Sequence, residues 1–469
     1  MSTLDELDKP LIEPIYSQAG PNQPIVLGAT GVQFTYKGET YRGTATVTSR
    51  FVPNERLCFV VPIILPELCG ADGWDRKLTL TDRDITLDVF CVSAPSRSEG
   101  GRESGELVLI PMTFPVTVTS PSEAISTAVF HLFNFPYFFG PEDYSLTHRE
   151  THLSTMKRCG RVNLKADGWD ITIAATGETG DLCEALTNQG GFALTHMGKI
   201  EREDGSAFSS GQLDDLLHCV HYLLSFALGR WAGVAFPIGF DKTGKKAFEQ
   251  WGLPLVAAGP WNGTYSWFDR MHGEILSQVF PGFMDLWKNE LWQRPLKEAL
   301  YSYLAACERG TGIGVDTGLV LAQTALELLA WNYCVRERKM VSEEAFGLRG
   351  LSAADKLRIL ASSLGIPLEI PACLRALGAR RGRKWQDGME AITSIRNACV
   401  HPRAENSFPD HSYFEGWKLS LWYIDMVLLR LCGHIGQYSN RLIHDRWAEL
   451  ETVPWAMNKA EKEDQQSLG

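Results

Sequence analysis

Ile392-Thr393-Ser394-Ile395-Arg396-Asn397-Ala398-Cys399-Val400-His401-Pro402 reads as the last turns of a helix and the residue that stops it. Together with Met389, the positions Ile392, Ile395 and Cys399 recur at steps of three and four, the period of a helix with one buried face. Pro402 disfavours helical dihedrals at His401, so the helix is expected to end at about that residue. Asn397 and His401 share a face, while Arg396, four beyond Ile392, falls on or beside the apolar stripe and needs a partner there. A guanidinium is shaped to clamp phosphate and an imidazole moves protons near neutral pH, so the set suits phosphodiester cleavage. The same residues also fit a plainer role, a histidine capping the last helical carbonyls.

Arg396-Asn397-Ala398-Cys399-Val400-His401 resembles the R-N-x-x-x-H form of the Rx4-6H motif of HEPN domains, small helical bundles found in many prokaryotic ribonucleases and toxins. The surrounding chain is similar too. Leu319 to Trp331 looks like an earlier core helix of that bundle, Leu351-Ser352-Ala353-Ala354-Asp355 like the capped start of the next, and Leu419 to Leu431 like another long apolar helix. The resemblance spans about residues 315 to 445 and is nearest to bacterial anti-phage proteins of the ApeA-like kind, which carry a β-rich N-terminal region. It implies a metal-independent endoribonuclease, a toxin-like effector of abortive infection, with Arg396, Asn397 and His401 as its catalytic set. It also implies a homodimer, with the β region sensing a trigger ligand or phage component. No cofactor is expected. The alternative from the same resemblance is a non-catalytic dimerisation or ligand-binding module.

Just before the motif, Arg375, Arg380, Arg381, Arg383 and Lys384 form a basic cluster in a segment, Gly378 to Gly388, expected to be a loop. Arg380, Arg381, Arg383 and Lys384 are the candidates for holding an RNA backbone; a solvated loop paired with local acids is the competing reading. Glu327 sits near the apolar face of the Leu319 helix and is not placed in the site.

Upstream, the period changes from helical to two. Residues 1–24, with Pro10, Pro14, Pro21 and Pro24, are expected to form an extended leader. Val32 to Tyr36 and Tyr41 to Thr48 alternate about Lys37-Gly38-Glu39, the mark of a hairpin. Further strand-like runs lie at Phe59 to Leu65, Leu78 to Val92, Leu107 to Thr119 and Val162 to Thr176, separated by turn-rich stretches such as Ser96 to Gly105. Many short strands with few intervening helices imply a sandwich or barrel. Phe130, His131, Phe133, Phe135, Tyr137, Phe138 and Phe139 are dense enough for a base-stacking or ligand-gripping surface, but a strand and turn filling the core is the favoured reading.

Leu213 to Leu228 is in helical phase and Trp231 to Phe240 reads as a returning strand, with Trp251 to Gly263 as the joint. The fold class is therefore α+β and multidomain: an N-terminal antiparallel β-rich domain followed by a C-terminal all-α HEPN-like bundle. The expected divisions are a leader (1–24), a β-rich sensor domain (25–265), a helical adapter (266–314), the helical domain (315–457) and a disordered tail (458–469).

Composition bounds the function. A chain of 469 residues, 44% hydrophobic and 22% charged, is ordinary globular protein with room for more than one core. The formal net charge of -11 means that any RNA contact must use a local basic patch. Eleven cysteines without a C-x-x-C pair, and an acidic N-terminus where a signal peptide needs positive charge, point to a reducing cytoplasm. No uncharged apolar run is long enough for a membrane span. Metal and nucleotide readings find little support. His218 and His221 lack further paired ligands, His148-Arg149-Glu150-Thr151-His152 has its glutamate misplaced for a zincin, and Gly310-Thr311-Gly312-Ile313-Gly314 lacks a P-loop lysine.

Overall fold

In the computed structural model, the two runs about Lys37-Gly38 pair as a hairpin, β1 Ile25–Tyr36 with β2 Glu39–Arg50. Lys37 and Gly38 both take positive φ, 49° and 84°, the two-residue turn whose twist matches that of the strands it joins. The structure describes residues 12–51, 56–63, 74–93, 105–119, 121–122, 124–140, 144–147, 154–157, 160–252, 258–263, 265–308, 314–347, 350–401, 408–443 and 450–457. The expected tail at 458–469, His148 and His152, most of Gly310 to Gly314 and nearly all of Ser96 to Gly105 lie outside them.

The hairpin opens a six-stranded antiparallel barrel completed by β3 Arg56–Ile63, β4 Trp74–Leu80, β5 Ile85–Ser93 and β6 Gly105–Pro111. Strand order is β1-β2-β3-β6-β5-β4, and β1 also pairs with β4, which closes the cylinder. Alternate side chains point inward, so Phe34, Val47, Phe59, Leu78, Leu87 and Leu107 fill the interior. Closure explains why strands with one polar face are stable here without exposing a free edge.

A second sheet follows from β7 Val116–Thr117, β8 Thr127–Phe133, β9 Trp169–Ala175, β10 Leu194–Arg202, β11 Gly233–Phe240 and β12 Lys246–Trp251. These six strands lie in the order β9-β10-β8-β11-β12-β7, with antiparallel pairing throughout. β8 is central and explains the aromatic cluster: Phe130, His131, Phe133, Phe135 and Phe138 are all fully buried. They are core, so they offer no face for base stacking. Gly198 on β10 is required by this packing, since a Cβ there would fall 2.0 Å from the Phe130 ring. Phe133, Met197, Phe236 and Ile238 share one apolar cluster with the barrel residues.

The described part of the leader, from residue 12, is irregular but anchored. Tyr16 donates its backbone N–H to His131 Nε2 at 3.2 Å and its hydroxyl to Glu249, while Phe192 donates to Asn22 Oδ1 at 2.9 Å.

The C-terminal region is helical: α1 Ile275–Lys288, α2 Gln293–Cys307, α3 Val315–Trp331, α4 Ala353–Leu364, α5 Gly388–Val400 and α6 Asp410–Leu431. α4 starts on the expected capping box, Ser352 with Asp355, and α3 runs on into a π-helical turn, Asn332–Glu337. α6 is buried almost all round from Trp417 to Leu429, as a central bundle helix should be. Its Asp425, 1% exposed, is balanced by Arg441, which donates from Nε at 2.5 Å and from Nη2 at 3.1 Å, and by the Tyr303 hydroxyl at 2.7 Å.

Chain contacts divide the molecule into two compact units whose boundaries differ from the expected ones. One holds residues 1–137, 168–221 and 232–262; the other holds 138–167, 222–231 and 263–469. The β domain is thus not the continuous stretch 25–265. Nor is 266–314 a separate adapter, because α1 and α2 belong to the same unit as α3 to α6. The physical reason lies in apolar contacts between distant segments: Tyr222 and Phe226 pack at a tilt on Trp287 and Trp267, and tie 222–231 to the helical unit.

Candidate functional site

The motif helix α5 is fixed at its start by a charged cap. Asp387 accepts the backbone N–H of Glu390 at 2.8 Å, and Arg358 joins Asp355, Asp387 and Glu390 in one ion-pair cluster. Met389, Ile392 and Ile395 form the buried face with Ala398, while Cys399, at the end of the stripe, is half-buried. The helix stops where the sequence places the stop. His401 leaves helical geometry at φ −127° and ψ 70°, and its N–H closes the last turn on Asn397 O at 2.8 Å.

Asn397 and His401 are exposed and Arg396 is half-buried, so the three residues reach solvent at one helix end. Arg396 Nη1 donates to Asn397 Oδ1 at 3.2 Å. Its Nε is shielded from solvent and has no hydrogen-bond partner among the described residues.

Three helix ends converge here. A Cβ on Gly416, in the second turn of α6, would lie 3.0 Å from Ile395 Cδ1 and 3.7 Å from Leu319 Cδ2, so α5, α6 and the start of α3 close in on one glycine. The Cys399 thiol meets Asp316, in the first turn of α3, and is pushed up to about 11, first by burial and then by the carboxylate. Sequence reasoning missed Asp316. An acidic residue in the first turn of a helix is common for dipole reasons and carries no functional signal by itself.

The basic cluster is a built turn rather than a slack loop. After a short helical turn, Arg375–Gly378, the chain doubles back through Gly382, at φ 76°, whose N–H bonds Trp385 O at 2.8 Å. Trp385, 1% exposed, staples the turn by donating Nε1–H to Leu377 O at 3.0 Å and packing its ring against Phe408. Arg381, Arg383 and Lys384 are exposed and Arg380 is half-buried; none of the four has an ion-pair partner among the described residues. The neighbouring acids are committed elsewhere. Arg358 holds Asp355, Asp387 and Glu390, and Glu415 accepts the backbone N–H groups of Ala376 and Leu377 at 3.1 and 2.9 Å. Because Glu415 adjoins Gly416, the turn is tied to the same end of the bundle as Arg396.

Residues 289–452 match the family model described as the YopA C-terminal domain, and residues 120–262 match that of the YopA central domain. The SPbeta prophage-derived uncharacterized protein YopA of Bacillus subtilis (strain 168) is 28% identical over 304 residues, covering 64% of this chain and 67% of the relative. No solved structure matches.

Proposed function

We propose that the chain is a HEPN-type, metal-independent endoribonuclease, acting as a toxin-like effector in conflict between phage and host under the control of its β-rich region. The observation that carries this reading is the exposure of Asn397 and His401 beside Arg396 at a helix end, with a built turn of cations tied to the same end. His401 serves as acid or base for attack of a ribose 2'-hydroxyl on the adjacent phosphate, leaving a cyclic phosphate end. Arg396 stabilises the charge gathering on that phosphate and Asn397 orients the guanidinium. Arg380, Arg381, Arg383 and Lys384 hold the flanking backbone. A homodimer bringing two such helix ends together completes the proposal, and the prophage origin of the relative fits the biological setting.

Incubation of the purified protein with total RNA, with and without EDTA, tests the assignment. Cleavage insensitive to EDTA and lost in His401→Ala and Arg396→Ala is expected, with DNA untouched for want of a 2'-hydroxyl. Cleavage that survives both substitutions refutes it. A second reading, a non-catalytic dimerisation module, is favoured by Val400, which is 41% exposed within the motif. In that case the protein cleaves no RNA and His401→Ala weakens self-association.

A further inference from the structure

The segment from Gly190 to Leu194 is hydrogen-bonded along two edges, and the leader supplies one of them. On the sheet side, Asn134 binds Gly191 O from Nδ2 at 2.9 Å, and both the carbonyl and the N–H of Ala193 at 3.0 Å. The alternate residues 190, 192 and 194 turn to the leader instead. Asn22 donates from Nδ2 to Gly190 O at 3.2 Å and from its backbone to Phe192 O at 2.8 Å, and its Oδ1 accepts the Phe192 N–H at 2.9 Å. Gln18 Oε1 accepts the Leu194 N–H at 2.9 Å. This is the alternation of a β-edge, covered by two carboxamides where a strand would otherwise pair. Gly191 permits the cover, since a Cβ there would fall 1.8 Å from Asn22 Oδ1.

Tyr16 anchors the cover and is the one buried residue of the stretch 12–24. Its ring stacks on His131 with centroids 5.1 Å apart and meets Phe236 edge-on at 5.8 Å. Its N–H reaches His131 Nε2 at 3.2 Å and its hydroxyl donates to Glu249. The walls of this slot are held without it. Glu249 is bound by Arg83 at 2.9 Å, by Lys246 at 3.0 Å and by the Trp251 indole N–H at 3.2 Å, while His131 Nδ1 lies 3.2 Å from Phe236 O. Among the described residues the leader's one β-bridge, Gln18 with Ile25, is to its own continuation into β1, so it can lift without breaking a ladder of the sheet. What it leaves behind is a preorganised aromatic slot with two acceptors, beside a bare backbone edge.

We infer that the leader is a displaceable strap over a peptide-binding groove of the β unit. The groove's second occupant is an extended peptide with a tyrosine followed two and six residues on by carboxamides, the pattern of Tyr16, Gln18 and Asn22. Its phenol fills the slot against Glu249, and its carboxamides pair the 190–194 edge. The inference goes beyond the ribonuclease reading and makes no use of it.

Two measurements on the full chain test it. In wild type, the amides of Tyr16, Asn22, Phe192 and Leu194 should exchange hydrogen about a hundredfold faster than those of Val129, Phe130 and Leu132 in β8, because the strap opens locally. Strap amides that exchange only together with β8 would make the leader permanent core and overturn its displacement. Second, a fluorescein-labelled peptide of residues 12–24 is titrated by anisotropy onto wild type and onto a chain carrying Tyr16→Ala with Asn22→Ala, its fold verified by circular dichroism. If that variant does not fold, Gln18→Ala replaces it. The tethered strap competes at high effective concentration, so the loosened chain should bind the peptide about tenfold more tightly than wild type. Phenylalanine in place of the peptide's tyrosine should weaken binding about tenfold, through loss of a hydrogen bond to a charged acceptor. Equal affinity of the two chains, or equal binding of a scrambled peptide, overturns the groove.

Discussion

Glu415 accepts the backbone N–H of Leu377 at 2.9 Å, and that single carboxylate ties the turn of cations to the helix that packs beside Ile395. A carboxylate spent on two backbone donors is a clamp on shape. Glu415→Ala should loosen the turn at a cost of about 1–3 kcal/mol, because two partly buried donors lose a charged acceptor. Limited trypsin digestion reads this directly: cleavage after Arg380, Arg381, Arg383 or Lys384 should accelerate. A digestion pattern identical to wild type would show that the clamp does not hold the turn.

If the turn meets an RNA backbone, its cations act through counterion release. Replacing Arg381 and Arg383 by Gln in a His401→Ala background should weaken binding of a single-stranded oligonucleotide irrespective of sequence. The slope of log K against log salt should fall by about 0.7 for each phosphate that the protein no longer neutralises. Fluorescence anisotropy across a salt series checks it, and an unchanged slope removes the turn from the interface.

Buried histidines make the β unit acid-sensitive. His131 accepts the Tyr16 N–H at Nε2, and its Nδ1 lies 3.2 Å from Phe236 O, so the neutral ring with its proton on Nδ1 satisfies both contacts. Burial pulls His131 down to about 4, against about 6.5 in an unfolded chain. A base depressed in the native state is neutral there while the unfolded state takes up a proton. Its stabilising contribution is therefore complete above about pH 6.5 and lost as pH falls towards 4. His196 and His221, pulled down to about 3 by burial, act in the same direction. Urea midpoints should drop steeply between pH 6.5 and 4.5, and His131→Gln should flatten that dependence by a contribution on the order of 1 kcal/mol per pH unit. A midpoint flat across the window would contradict the burial of these rings.

In the helical unit the Asp425 and Arg441 pair is the most exposed to damage by substitution. Asp425→Ala strands a guanidinium that is 6% exposed, and should cost about 3–5 kcal/mol. The double change Asp425→Leu with Arg441→Met should recover most of that loss, since no buried charge is left without its counterpart. Differential scanning calorimetry of Asp425→Leu, Arg441→Met and the double variant tests the coupling; additive losses would mean that the two groups do not interact.

The hairpin at Lys37-Gly38, the capped start of α4 and the end of α5 at His401 were all legible, because local chemistry decides them: a turn dipeptide, a Ser352 to Asp355 box, a proline one residue on. Three long β runs each proved to be a pair of strands: Leu78 to Val92, Leu107 to Thr119, and Val162 to Thr176, the last divided into Arg161–Ala166 and Trp169–Ala175. The break falls at Asp84, with φ 53°, in the first, and at Asp167-Gly168, with φ 53° and 72°, in the last. Turn residues were present at both places but were overridden by the alternating pattern around them. Barrel closure was illegible, because the β1 to β4 pairing joins segments with no local signal. The motif side chains were found from their spacing. Asp316 and Glu415 were not, since each acts on a residue far away in the chain and neither has a pattern of its own.

Because each unit is assembled from three separate lengths of chain, no single stop codon yields either one alone. A truncation after residue 262 would carry 222–231 along without Trp287 and Trp267, leaving Tyr222 and Phe226 bare of the rings that cover them. Such a fragment would be sticky and short-lived. Truncation inside the gene should therefore register as loss of folded protein, which makes point substitution the practical route to dissecting this molecule.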